Sequence, residues 1–306
     1  MEIRVLRYFL AVAQAGSITG AAKLLHLTQP TLTRQLKDLE EELGQQLLIR
    51  TNHNVSLTQE GLILRKRAQE IVDMVEKTES EISALKSSIA GEIFIGGGET
   101  YAVKFIAQII KEIQTEYPNI KLNFYSGNAE DVKDKLDKGL LDFGLLIQPT
   151  DISKYDYITL PQKDIWGLIM RKDSPLASKT SVTKSDLLKI PLITSKHVSQ
   201  RIDVKNNYNE WFGKDLFKLN IVATYNLVYN AGLMVEEGIG YAVGLDKLIN
   251  ESDSTNLCFR PFKPLLQSSL DIVWKKSQMF SPPAKLFLDK LQERCYLVLQ
   301  NNNQNK

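Results

Sequence analysis

The first ninety residues carry apolar positions at helical spacing. Val5, Leu6, Phe9, Leu10 and Ala13 share one face of a helix predicted over residues 2–15, which Gly16 stops. Ser17 is placed to cap a second helix, in which Ala21, Ala22, Leu24 and Leu25 form a short apolar stripe. His26 and Leu27 make a turn. Thr28 then caps a third helix with Pro30 in its first turn, where a missing N–H costs little. Leu32, Leu36, Leu39 and Leu43 follow at steps of four, three and four, and Gly44 closes the stretch. Asn52-His53-Asn54 separates two short apolar runs and reads as the turn of a two-stranded wing.

Thr58 caps the next helix and Glu60 lies in its first turn. Leu64, Ala68, Ile71, Val75, Thr78, Ile82, Leu85 and Ile89 alternate steps of four and three, the seam of a coiled coil, flanked by Glu76, Lys77, Glu79, Glu81 and Lys86. The plain alternative is one long helix packed on its own domain. From Gly91 the pattern becomes strand and helix in alternation, which specifies a parallel sheet. Strands are predicted at EIFIGG, IKLNFYS, LLDFGLLI, DIWGLIM, PLIT, LNIVAT, GYAVG and SSLDIVW. Helices are predicted over 101–115, 129–138, 199–212, 226–237 and 283–299, with a disordered polar tail, NNNQNK.

The polar positions left over are informative. Gln29, Pro30, Thr31, Thr33, Arg34 and Lys37 occupy the start and outer face of the third helix, with Ser17 at the start of the second. An exposed helix start bearing Gln, Thr and Arg suits the DNA major groove, where Gln pairs with adenine and Arg with guanine. The bland reading is a helical hairpin with a solvated face.

The run from Leu6-Arg7-Tyr8-Phe9 through AGSITGAAKLLHLTQPTLTRQLKDLEEELGQQLLIRTNHNVSLTQEG resembles the N-terminal domain of LysR-type transcriptional regulators. Weaker echoes follow in order: Tyr117-Pro118-Asn119-Ile120, Gly139-Leu140-Leu141-Asp142, Ser174-Pro175-Leu176-Ala177 and Glu237-Gly238-Ile239-Gly240. The resemblance implies an α/β protein with an all-α N-terminal part. A winged helix-turn-helix (1–58) precedes a coiled-coil linker helix (59–89). A two-lobed effector domain (90–306), built like a periplasmic binding protein, completes the chain. Lobe I would hold 90–161 and 267–306, and lobe II 162–266, with crossings near 160–163 and 262–266. The implied partners are double-stranded promoter DNA, a small polar or anionic effector such as a carboxylate, and further copies of the chain: a homodimer through the linker helix and a tetramer beyond it.

The resemblance also directs attention to the wing, which in this family lies over the phosphate backbone or minor groove. Arg50 is the phosphate candidate there, with Asn52 and His53 as polar neighbours; a solvated loop is the alternative for His53. Gly20 stands where the family has a basic residue, and the wing tip carries few basic residues, so the phosphate grip falls more on Arg34, Lys37 and Arg50.

Effector candidates lie where predicted strands end. They are Gly98 and Thr100 after the first strand, Thr100 matching the family's use of a hydroxyl there, and Ser126 and Asn128 after the second. Ser195, His197, Ser199, Arg201, Thr224 and Asn226 lie in the other lobe. Several are equally placed to be helix caps. Glu99 departs from the expectation of an anionic ligand, which it would repel unless it turned outward.

Composition adds bounds. The 306 residues suggest two or three domains, and 43% hydrophobic content fills real cores. A net charge of +2 does not by itself indicate nucleic acid. Cys258 and Cys295 lie far apart in sequence and are expected to pack, with no disulfide framework. Three histidines supply neither a metal cluster nor a catalytic triad, and Gly96-Gly97-Gly98 lacks both the third glycine of a dinucleotide loop and the Lys-Ser/Thr of a phosphate loop. No cofactor, metal or catalytic residue is expected, and no membrane segment or signal peptide is read; a soluble cytoplasmic protein follows. Two rivals remain. An α/β enzyme would need a clustered acid, base or nucleophile, and a solute-binding protein would need no winged helix.

Overall fold

Helix α1 (Ile3–Ala15) buries Val5, Leu6, Phe9 and Val12, so Val12 takes the place expected for Ala13. Gly16 ends it at φ 62°, a conformation that costs glycine nothing. In α2 (Ile18–Leu24) the Ser17 side chain accepts a hydrogen bond from Gly20 N–H at 3.0 Å. Ala21 and Ala22 are buried, whereas Leu24 is 71% exposed and leaves the expected stripe. In α3 (Gln29–Leu43) Thr28 caps Thr31, and Leu32, Leu36 and Leu39 enter the core while Leu43 faces out. Strands β1 (Leu48–Arg50) and β2 (Val55–Leu57) pair antiparallel as the wing. Glu40 Oε1 fastens the wing to α3 by accepting from Leu47 N–H at 2.8 Å and Leu48 N–H at 3.0 Å.

Helix α4 (Gln59–Ala84) corrects the seam read from sequence. Ala68 and Val72 pack into the winged-helix core, with Leu64 against it. Ile71, Thr78 and Ile82 point to solvent. The start of α4 is held against the wing and α1, so one stripe of the helix serves its own domain and only the other remains for a partner. Leu85 and Ile89 lie outside the described residues.

The computed structural model describes residues 1–50, 54–84, 90–195 and 207–304. These divide into two units, Met1–Ser83 and Ala84–Lys306. In the second unit β3 (Gly91–Gly97), α5 (Val103–Glu116), β4 (Ile120–Ser126), α6 (Ala129–Asp137) and β5 (Phe143–Ile147) build a parallel three-stranded core, with β3 between β4 and β5. Helix α5 buries Phe105, Ile106, Ile109, Ile110 and Ile113 against one face, each worth roughly 1.5–3 kcal/mol of apolar burial. Helix α6 covers the other face with Val132 and Leu136. Strand β6 (Tyr155–Arg171) then runs for 17 residues. It reaches back well before the predicted strand DIWGLIM and itself carries the chain from one set of partners to the other, changing them at Ile165 and Trp166, just beyond the crossing expected near 160–163.

Lobe II follows with β7 (Val182–Thr183), α7 (Lys184–Leu187), β8 (Pro191–Ser195), α8 (Asn207–Phe212), β9 (Asn220–Tyr225), α9 (Val228–Glu236), β10 (Tyr241–Leu245) and β11 (Leu257–Lys263). The predicted helix 199–212 is described only from Asn207. The return crossing is short, and β12 (Gln267–Lys275) pairs antiparallel with both β5 and β6. The final helix, α10 (Pro282–Gln304), reaches beyond its predicted end into the tail expected to be disordered, since extending a helix needs no new nucleus. The path of paired strands is β4-β3-β5-β12-β6-β10-β8-β9. Cys258 and Cys295 are buried and free, and burial pushes the Cys295 thiol up to about 11.

Gly61 is the tightest backbone approach in the first unit: a Cβ there would lie 2.2 Å from the Leu47 carbonyl oxygen. Gly61→Ala is therefore expected to push α4 off the wing and to destabilise the chain by about 1–3 kcal/mol. Urea unfolding of the full-length protein measures this, and an unchanged midpoint would mean that the contact relaxes without cost.

Candidate functional site

Two surfaces carry the polar groups singled out by sequence. The first is the start of α3. Thr28 and Thr31 hydroxyls lie 2.7 Å apart, and Gln29 Nε2 donates to Thr33 Oγ1 at 3.1 Å, so the first turn is ordered by its own side chains. Gln29, Pro30 and Thr31 are exposed. The Arg34 side chain is 84% exposed, with its one ion-pair contact to Asp38 at 4.0 Å. Lys37 lies 3.3 Å from Glu41 and is also exposed. Such exposed pairs are weak, so both cations remain available to another partner. Ser17 is spent on capping. Arg50 is the last residue of β1 and pairs with Val55; Asn52 and His53 lie outside the described residues.

The second surface is a cleft of about 410 Å³ in the second unit. It forms where the carboxyl ends of parallel strands from the two lobes converge, the place where open α/β sheets bind ligands. Gly98, Ser126 and Ile147 line it at the ends of β3, β4 and β5, and Ser195, Asn226 and Leu245 line it at the ends of β8, β9 and β10. Trp166 and Ser268, on the two crossing strands, form part of its wall and are joined by a 2.8 Å bond from Trp166 Nε1 to Ser268 Oγ. Apolar, amide and hydroxyl groups therefore alternate around a space suited to a small molecule.

The cleft brings together Gly98, Ser126, Asn128, Ser195 and Asn226 of the predicted set. Asn128 is committed: its side chain accepts from Glu130 and Asp131 N–H at the start of α6 and donates to the Asp131 carboxylate. Thr100 and Thr224 are not among the lining residues. Thr100 is buried, and its hydroxyl accepts from Ala102 N–H at 3.1 Å. His197, Ser199 and Arg201 lie outside the described residues. Sequence reasoning missed Tyr125, Asp131, Gln148, Trp166, Tyr225 and Ser268. The strand ends at Gln148 and Tyr225 followed from the same rule that found Ser126, while Trp166 and Ser268 needed the pairing of the crossing strands.

The described charged side chains on the wall are both acidic, Glu99 and Asp131. A third acid, Asp164, lies at the crossing. Burial pushes its carboxyl up to about 6; the Thr100 hydroxyl opposes this and neighbouring Asp246 adds to it. Its Oδ2 has no hydrogen-bond partner among the described residues. Asp246 accepts from Ile165 N–H at 2.8 Å and pairs with Lys247 at 3.2 Å.

The family model described as bacterial regulatory helix-turn-helix protein, lysR family, matches residues 3–62, and that for the LysR substrate binding domain matches 86–296. The chain is 27% identical over 295 residues to the uncharacterized HTH-type transcriptional regulator YvbU of Bacillus subtilis, covering 96% of this chain and 98% of that protein. It is 27% identical over 299 residues to the hca operon transcriptional activator HcaR of Escherichia coli, covering 97% and 99%. In fold it matches the crystal structure of full-length CbnR with its target DNA at a TM-score of 0.73 and 19% identity, covering 96% of this chain and 99% of that one.

Asp164 retains its proton to a higher pH in the folded than in the unfolded chain. Its contribution to stability is complete below the ordinary carboxylate range and is lost as pH rises through about 6. Asp164→Asn preserves the size of the side chain and removes the charge. It is expected to exceed the parent in stability by about 1–3 kcal/mol above pH 7 and to converge with it near pH 4. Denaturant midpoints across that range measure the difference; parallel curves would show that Asp164 does not titrate on folding.

Proposed function

This chain belongs to the LysR family of bacterial helix-turn-helix regulators, and we propose that it reads promoter DNA through the start of α3 and is switched by a small polar molecule held between its two lobes. It is a DNA-binding transcriptional regulator with a substrate-binding domain, and not an enzyme. The observation that carries the DNA reading is the exposure of Arg34 on the outer face of a helix whose opposite face is locked into a core. In this reading Gln29, Thr31, Thr33 and Arg34 meet base edges in the major groove. Lys37 and Arg50 meet phosphates, with Ser17, Pro30, Asn52 and His53 at the margins.

Ile71, Thr78 and Ile82 of α4 are proposed to pair with a second copy, which presents two recognition helices to successive major grooves. A tetramer would follow from further contacts. CbnR, with its target DNA, offers a relative of the same fold that binds a duplex. The effector is assigned to the cleft because Ser126, Ser195, Asn226 and Ser268 line one space between the lobes. It acts by its different affinity for two arrangements of the protein, and shifts their balance by no more than that difference. The polar half of the ligand expectation rests on these groups; an anionic ligand must be placed away from Glu99 and Asp131.

Fluorescence anisotropy with DNA from upstream of the protein's own gene, against scrambled DNA across a salt series, tests the assignment. Preferential binding that weakens steeply with salt is expected, because phosphate contacts release counterions. Arg34→Ala should cost about 1–3 kcal/mol of specific binding and relax the preference between the two fragments. Unchanged affinity would remove Arg34 from the interface.

A further inference from the structure

The turn between β3 and α5 reaches across the cleft with three successive side chains. Glu99 Oε2 accepts a hydrogen bond from the Val228 N–H, the first residue of α9 in the other lobe. Thr100 lies near enough to Asp164 on the crossing strand to temper the rise that burial causes in its pKa. The Tyr101 ring lies 5.2 Å from Lys247 Nζ, just beyond β10. Of the three, Glu99 stands on the cleft wall, together with Leu227 and Val228.

Helix α9 has nine residues and an N-cap, Leu227, whose side chain offers no acceptor. The first N–H groups of a helix have no partner within it and carry partial positive charge, so they draw a carboxylate. Here the carboxylate comes from the opposite lobe. The buried Tyr225 hydroxyl senses it: its acidity is lowered first by burial and then by the Glu99 charge.

We infer that Glu99 sets the charge specificity of the cleft: its carboxylate occupies the place at the start of α9 that a ligand's acid group would take, so the effector enters with an uncharged or cationic group at that end. The inference rests on the cleft being the effector site. It explains how a carboxylate is tolerated on the wall, since Glu99 is turned toward the Val228 N–H at a helix start that would otherwise invite an anion. It also ties the two lobes together through a side chain on the cleft wall.

Val228 N–H allows a direct test, because no carbonyl of its own helix can protect it. Amide exchange of Val228 is followed by NMR in the full-length protein and in Glu99→Ala, with sodium acetate as the probe and acetamide plus sodium chloride as the uncharged control. The expected result is at least tenfold faster exchange in Glu99→Ala, slowed again by acetate and not by acetamide, with the parent insensitive to both. Equal exchange in the two proteins, or an acetate effect of the same size in both, overturns the inference. None of these readings depends on DNA, so their failure is distinct from failure of the regulator assignment in the anisotropy assay.

Discussion

The backbone ladder of β6 is the constraint on which the effector-domain architecture rests. Its first part pairs with β12 from Tyr155 to Ile165, and its last part pairs with β10 and β11 from Trp166 to Arg171. A single strand thus belongs to two sheets. Backbone hydrogen bonds leave little freedom within a paired strand, so the lobes are set relative to each other by where β6 changes partners. The change occurs at Ile165 and Trp166. There Asp246 holds the Ile165 N–H and the Trp166 indole bonds Ser268 of the returning strand. The same two crossing strands supply part of the cleft wall, so a molecule held there touches the junction itself.

Electrostatics at this junction is dominated by acids. Asp164 and Asp246 are buried close together beneath the wall, and Glu99 stands on it. Each is balanced differently. Asp246 has Lys247 and a backbone N–H, Asp164 has the Thr100 hydroxyl and retains its proton more tightly, and Glu99 has the start of α9. The turn bearing Glu99, Thr100 and Tyr101 is the common element. A hydroxyl suited by sequence to greet a ligand is instead buried and accepts from its own turn, and a carboxylate that looked unfavourable finds a donor in the other lobe.

The winged-helix unit is built on a different scale. Its contacts are short in sequence: Ser17 to Gly20, Thr28 to Thr31, Glu40 to Leu47 and Leu48. Burying Leu32, Leu36 and Leu39 fixes which face of α3 is left outside, and that face carries Gln29, Arg34 and Lys37. Recognition chemistry here is a consequence of amphipathic spacing.

Sequence alone determined what depends on local spacing and capping. The helices and wing of the first unit, the caps at Ser17 and Thr28, the exposed start of α3, and the strand–helix alternation of the second unit all follow from periods of 3.6 and 2 and from turn residues. The strand-end rule likewise located Ser126, Ser195 and Asn226 on the cleft. Tertiary structure decided whatever required two distant segments to meet. It extended β6 back to Tyr155 and fixed the change of partners at Ile165 and Trp166, because pairing with β12 and then with β10 and β11 decides where that strand begins and crosses. It divided the α4 stripe between Leu64 and Ala68 against the core and Ile71 and Ile82 outside, and buried Val72 from beyond the stripe, because the neighbours of a helix and not its own period decide which apolar side chains are covered. It withdrew Thr100 from the cleft and joined Glu99 to Val228, 129 residues away, since hydrogen-bond partners across a sheet junction leave no trace in the spacing of either segment.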